Sequence, residues 1–281
     1  MPPSPKAPLE LALIGIDTWP VDHVAAIAVG PEGILTSRGE VARPFRLASI
    51  TKAVFAAACL VAVEEGTLDL DEPAGPAGAD GVTVRHLLAH AGGYGFDTGI
   101  MQRPGRTRIY SNTGIEVLAS HLTERAAMAA GDYLKAAVLD PLGMVDTYLR
   151  DPSLAHGLWG TATDMAVFAS ELLRPTLVAP STLAEATSVQ FAGLNGVLPG
   201  FGRQSPNDWG LGFELRGNKT PHWTGSTNDQ ATFGHFGGSG TLLWVDPRAD
   251  LALVVLTDRE FGPWTHPLWP KLSDKVRQAR I

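Results

Sequence analysis

The chain has 281 residues, 22 basic against 29 acidic side chains for a formal charge of −7, 44% hydrophobic and 18% charged residues, and one cysteine. That mixture supports a buried core and excludes a disordered or coiled-coil chain; the acidic balance, with no run of Lys or Arg, argues against nucleic acid or anionic lipid as a partner. Cys59 is alone, so neither an intramolecular disulfide nor a CxxC metal site can form.

The apolar run Leu9 to Ile16 is broken by Glu10 and closed by Asp17, too short and interrupted for a signal-peptide core or a membrane span. A soluble, cytoplasmic protein is expected, its oligomeric state left open. Val24 to Val29 and Gly33 to Phe45 are β-prone runs around the turn Gly30-Pro31-Glu32-Gly33, which predicts a hairpin. From Ser49 to Glu65 the pattern becomes an Ala-rich apolar helix that stops at Gly66 and should be buried on several sides. Helices are predicted over Val84–His90, Thr113–Met128, Gly131–Val138 and Thr163–Leu173, with hydroxyls at Thr161 and Thr163 to cap the last. After a Gly- and Pro-rich loop, Gly193 to Trp209, strands return at Leu211–Leu215, His235–Val245 and Leu251–Thr257, and Leu268–Arg280 closes the chain as a helix. Strands at both ends and helices between them predict an α+β fold. Residues 1–48 and 205–281 would supply a mostly antiparallel sheet, residues 49–204 a mainly helical insertion, and the crevice between them a site.

Three segments carry chemistry. Ser49 and Lys52 sit at i and i+3 at the start of the buried helix, so Lys52 can reach the Ser49 hydroxyl. A serine becomes a nucleophile when a neighbouring base takes its proton, and a desolvated lysine has the lowered pKa to do so. The plainer alternative is a helix cap beside a solvated lysine. Tyr110-Ser111-Asn112 offers a phenol for proton transfer and an amide that can orient a carbonyl; here the alternative is a cap beside a half-buried wall. His235 to Gly240 (HFGGSG) places glycines in a strand, where close approach of a ligand is one reason to tolerate them and a bulge is another. The Gly238 amide could then pair with that of Ser49 as an oxyanion hole. His86 and His90 stand at i, i+4, a spacing that suits zinc on a helix face, without a carboxylate to complete a set.

In this order the three segments resemble the S-x-x-K, Y-x-N and K-T-G triplet of the serine β-lactamases and penicillin-binding proteins. The branch most similar is the class C β-lactamase-like one with its serine esterases and D-aminopeptidases, where the third motif reads H-x-G. HLLAHAGGYG (86–95), DPLGMVDTYL (140–149), WGLGF (209–213) and GHFGGSGTLLWVDPRADLALVVLTD (234–258) look like stretches of that family, and the likeness runs over roughly residues 24 to 260.

The resemblance implies a β-lactamase/transpeptidase-like fold and a serine hydrolase without metal or organic cofactor, acting on a small ester or amide. Ser49 would be the acylated nucleophile, Lys52 its activator and Tyr110 the base that passes the proton to the leaving group. Asn112, His235, Gly237 and Gly238 would contact substrate, with the Ser49 and Gly238 amides as oxyanion hole. His235 and Phe236 replace the lysine and hydroxyl residue with which β-lactamases grip a carboxylate, so a weakened anion grip and an apolar surface are expected, favouring esters over β-lactams. A D-aminopeptidase or amidase, a β-lactamase, an acyltransferase and a silent binding protein on the same fold are the alternatives. Only Tyr148 to His156 separates the PLGM segment from GLWGTATDM, where relatives carry a longer excursion, so an open cleft or one roofed by the loops around Trp209 and Trp223 is expected.

Overall fold

The computed structural model describes residues 7–76 and 81–280. Helix α1 (Ala7–Leu13) runs into a 3₁₀ turn (Ile14–Thr18), so the interrupted N-terminal apolar run is a surface helix. Strands β1 (Val24–Gly30) and β2 (Gly33–Gly39) form the predicted hairpin, but β2 ends at Gly39. Phe45–Arg46 is a separate strand, β3, in another sheet.

Helix α2 (Ile50–Glu64) is buried at every position from Ile50 to Leu60, as its uninterrupted apolar composition requires. Cys59 lies inside it, fully buried. Helices α3 (Val84–Leu88), α4 (Asn112–Ala126) and α5 (Ala130–Leu134) follow, the last continuing as a π-turn over Lys135–Leu139. Strands β4 (Tyr148–Leu149) and β5 (Leu158–Gly160) join β3 in a three-stranded sheet. Helix α6 (Ala162–Leu173) is capped by the Thr161 hydroxyl, and α7 (Pro180–Ala186) opens on a proline.

The Gly- and Pro-rich segment expected as loop contains a short hairpin, β6 (Gly196–Leu198) and β7 (Gly202–Gln204). Strand β8 is confined to Glu214–Leu215. The run His235–Val245, expected as one strand, is two: β9 (Phe233–Gly237) and β10 (Thr241–Asp246), joined by a turn in which the Gly240 amide donates to the Gly237 carbonyl. Two glycines in three residues mark a reversal here. Strand β11 (Leu251–Thr257) and helix α8 (Thr265–Gln278) complete the chain.

The main sheet has the order β2-β1-β11-β10-β9-β8, with antiparallel neighbours throughout. Both chain ends build it, since β1 pairs with β11 from Val24↔Thr257 to Val29↔Ala252. Side chains alternate between two cores. Ala25, Ile27, Val254 and Leu256 face the one that contains α2 and α6, and Ala26, Ala28, Leu253 and Val255 face the one that contains α1 and α8. Layers on both faces explain why β10 and β11 are buried end to end. No helix among the described residues is long and apolar enough to cross a membrane.

Candidate active site

Ala48, with φ at 47°, is held in the left-handed region that alanine rarely adopts, and Ser49 follows it directly into α2. The Ser49 side chain makes no capping bond, so the plain helix-cap reading fails. Lys52 is wholly buried one turn on. Its Nζ donates to Ser49 Oγ at 3.3 Å, to Asn112 Oδ1 at 2.7 Å and to the Ala155 carbonyl at 2.9 Å. It also lies 4.8 Å from the centre of the Tyr110 ring. Four predicted residues from α2 and the start of α4 thus meet around one ammonium.

Burial lowers the Lys52 pKa to about 7, against the opposing fields of Glu116 and Asp97. Both carboxylates are tied to the site. Asp97 Oδ1 accepts from Asn112 Nδ2 at 2.8 Å, and Glu116 accepts from the amide of Ala155, whose carbonyl holds Lys52. Of the loop acids Asp97, Asp208 and Asp229, Asp97 is the one beside this cluster. Asp208 acts on Arg108 and Lys219, and Asp229 lies against Asp246. Glu116 escaped the sequence reading, although it stands four residues after Asn112 on the same helix face.

Ser111, not Asn112, caps α4, accepting from the Gly114 amide at 2.8 Å and donating to the Gly95 carbonyl. Asn112 is therefore free to bridge Lys52 and Asp97. The Tyr110 hydroxyl is buried without a hydrogen-bond partner, and burial pushes its pKa up, with the Ser49 side chain offsetting part of the rise.

Around Tyr110 pack His90 at 4.7 Å between ring centres, His235 at 5.7 Å and Trp209 at 5.7 Å. His235 Nδ1 donates to the Phe236 carbonyl, which leaves Nε2 as an acceptor. His90 Nδ1 accepts from the Ser111 amide, which puts its proton on Nε2. Both Nε2 atoms and Trp209 Nε1 are buried and unpaired among the described residues, as is the Tyr110 hydroxyl. Such a set beside a nucleophile is the mark of a polar ligand site. Burial, together with the Lys52 charge, holds His235 down at about 3 and His90 well below its ordinary value, so both imidazoles are neutral.

His86 and His90 do not share the predicted helix face. α3 ends at Leu88, His90 turns back at φ 53°, and His86 stacks on Phe191 instead. Trp209 packs against Tyr110, His90 and His235 within the site, but Trp223 does not reach it. It lies with Phe236 in the core on the other side of the sheet, and so does not contribute to the cleft. The alternation of β9 explains this: His235 and Gly237 point one way and Phe236 the other. The apolar surface expected from Phe236 is absent from this face.

The β9–β10 turn is stitched to the segment before the nucleophile, with Ser239 Oγ donating to the Arg46 carbonyl and Thr241 Oγ1 to that of Leu47 at 3.0 Å. Gly237 must be glycine, because a Cβ there would lie 2.4 Å from the Leu47 oxygen; Gly238 faces open space. Among the described residues, the amides of Ser49 and Gly238 donate to no protein acceptor. Two free N–H groups beside a serine are what an oxyanion would need.

Comparison with known proteins agrees with this arrangement. The family pattern described as beta-lactamase matches residues 42–277. A beta-lactamase from Mycobacterium bovis, known from its crystal structure, is 52% identical, covers 96% of this chain and 99% of its own, and superposes with a TM-score of 0.93. A protein of Salmonella paratyphi B, provisionally named a D-alanyl-D-alanine carboxypeptidase, is 26% identical over 215 residues, which is 60% of this chain and 49% of that protein; the chain spans about half the length of the curated relatives it matches. EstCE1, a hydrolase with promiscuous acyltransferase activity, shares the fold at a TM-score of 0.79 and 18% identity, over 97% of this chain and 99% of its own. The catalytic-type cluster, the two-core sheet and these matches converge: the chain belongs to the beta-lactamase family, a family of serine hydrolases.

Proposed function

We propose that the protein is a serine hydrolase that forms an acyl-enzyme on Ser49 and acts on small or acyl esters, with weak or no β-lactamase activity. The observation that carries this reading is the buried amine of Lys52, with a pKa near 7, bonded to the Ser49 hydroxyl. In its neutral form Lys52 takes the Ser49 proton as Oγ attacks the ester carbonyl, and the amides of Ser49 and Gly238 receive the oxyanion. The carbonyl–oxygen bond then breaks, and Tyr110, protonated because it is buried, relays a proton from Lys52 to the departing alkoxide. Water hydrolyses the acyl-enzyme by the reverse proton path. Asn112, fixed by Lys52 and Asp97, orients the substrate, and His235 with Gly237 lines its edge.

Ester over β-lactam preference is supported by the buried, neutral imidazole of His235, which offers no cation to a substrate carboxylate at that strand. The carboxylate of Asp97 favours one alternative, cleavage of an amide next to a free amine, as in a D-aminopeptidase. Turnover of p-nitrophenyl acetate, nitrocefin and a D-alanine p-nitroanilide by the same preparation separates the readings. Ester turnover that vanishes in Ser49→Ala, with little nitrocefin hydrolysis, is expected. Nitrocefin turnover without ester turnover would replace the esterase reading by β-lactamase, and a fluorophosphonate probe that adds no mass to Ser49 would remove the serine mechanism altogether.

A further inference from the structure

A cavity of about 420 Å³ is lined by Tyr110, Phe96, Ile109, Val197, Pro199 and Arg203, among others, with no carboxylate in its wall among the described residues. Its size falls in the range of about 300–1,000 Å³ usual for small-molecule sites. Of the clustered site residues, Tyr110 lines it and Ser49 does not. Resting on the proposed mechanism, in which Tyr110 hands a proton to the departing oxygen, we infer that this cavity receives the leaving group, and that the preferred leaving group is an alcohol with a short apolar chain ending in a carboxylate.

The apolar part of the argument is exposure. Phe96 and Val197 are 50% and 56% exposed, large side chains left open on the wall of a cavity that Tyr110 also lines. The charged part is Arg203. It is exposed, it pairs across β6–β7 with Val197, and among the described residues its guanidinium forms no ion pair. The second arginine of the cavity is not available, because the buried Arg108 spends its guanidinium on the carbonyls of Ala89, Gln190 and Asn207. Among the described residues, Arg203 is thus the one uncommitted cation of a wall without carboxylates, in a chain of charge −7, and a planar fork suits a carboxylate.

The wall is also built to stay in place. The Arg108 amide donates to the Asn195 carbonyl at 2.8 Å, and Arg108 bridges to Gly196 at the start of the hairpin. A Cβ on Gly196 would come within 2.4 Å of the Arg108 oxygen. The hairpin that carries Arg203 and the segment that carries Tyr110 are therefore fixed to each other.

The test compares 6-acetoxyhexanoate with hexyl acetate by pH-stat, using the full chain and Arg203→Glu, with p-nitrophenyl acetate turnover normalising each preparation. A kcat/KM about tenfold higher for the carboxylate, weakened by added salt and lost in Arg203→Glu, is expected. Equal values, or a preference that survives Arg203→Glu, overturn the inference. So does a carboxylate preference seen only on the acyl side, for mono-p-nitrophenyl adipate over p-nitrophenyl hexanoate. If no ester is turned over, the proposed function fails, and the cavity is then judged by calorimetry on Ser49→Ala. Tighter binding of 6-hydroxyhexanoate than of 1-hexanol, abolished in the double variant with Arg203→Glu, sustains the anionic subsite, and equal binding removes it.

Discussion

Lys52 is the one group of the site whose proton is exchanged near neutrality. Tyr110 is held up by burial and both imidazoles are held down, so none of the three changes charge near neutrality. A single inflection in the pH profile is therefore expected. kcat/KM for p-nitrophenyl acetate should rise about tenfold per pH unit below about 7, as the amine form of Lys52 appears, and level off above it. Lys52→Arg should abolish turnover, since a guanidinium cannot give up its proton. Stability carries the same signature with a definite sign. The folded-state pKa of about 7 lies below the ordinary 10.5, so the unfolded chain binds more protons in that window and stability rises with pH through it. Urea titrations at pH 7 and 10 should show this difference shrink in Lys52→Met. The i, i+3 spacing of Ser49 and Lys52 only allowed their contact, and it was the three motifs together that singled the pair out, whereas the Ala155 carbonyl and Glu116 were not legible at all. Only the tertiary fold brings a backbone oxygen 103 positions away onto the lysine.

Two adjacent glycines show what an element asks of its residues. Gly237 packs against Leu47 and Ala48 with no room for a side chain, and Gly238 faces open space. Gly237→Ala should cost about 1–3 kcal/mol of stability, while Gly238→Ala should fold within about 0.5 kcal/mol of the parent; thermal denaturation of the two separates packing from exposure. Arg108 is the corresponding device for the segment before α4. Its replacement by alanine leaves several buried carbonyls unpaired and should cost at least ~2 kcal/mol, with a loss of kcat as Tyr110 loosens. The glycines were visible as a pattern, but not their division of labour. His235 to Val245 read as one strand although Gly238 and Gly240 interrupt it, and the hydrogen bond from the Gly240 amide to the Gly237 carbonyl shows that they close a reversal. The β6–β7 hairpin was hidden, since three-residue strands rich in Gly and polar residues carry too little periodicity to stand out.

At the scale of the whole molecule, the sheet was legible because its strands are long and apolar, and the placement of the helical layers followed from it. Its far edge was not. There β8 carries a buried network in which Glu214 binds Lys219, His222 Nε2 and Trp223 Nε1. Desolvation works to raise the Glu214 pKa, but the charges and hydrogen bonds of His222 and Lys219 outweigh it and hold it at about 2. Glu214 ionisation therefore stabilises the fold above about 4.5, and that contribution fades as pH falls toward 2. Glu214→Gln should remove this part of the acid transition, readable by circular dichroism.

The pairing of β1 with β11 has a further consequence in time. These neighbours are separated by more than two hundred residues, so the central register of the sheet cannot form during synthesis until β11 has left the ribosome. The Ser49 helix emerges well before β9, whose turn is stitched to the backbone just before Ser49. A nascent chain of this protein therefore carries its serine, its lysine and its tyrosine before the strand that would bring the Gly238 amide to them has been made. On the proposed mechanism, acyl transfer has to await β9.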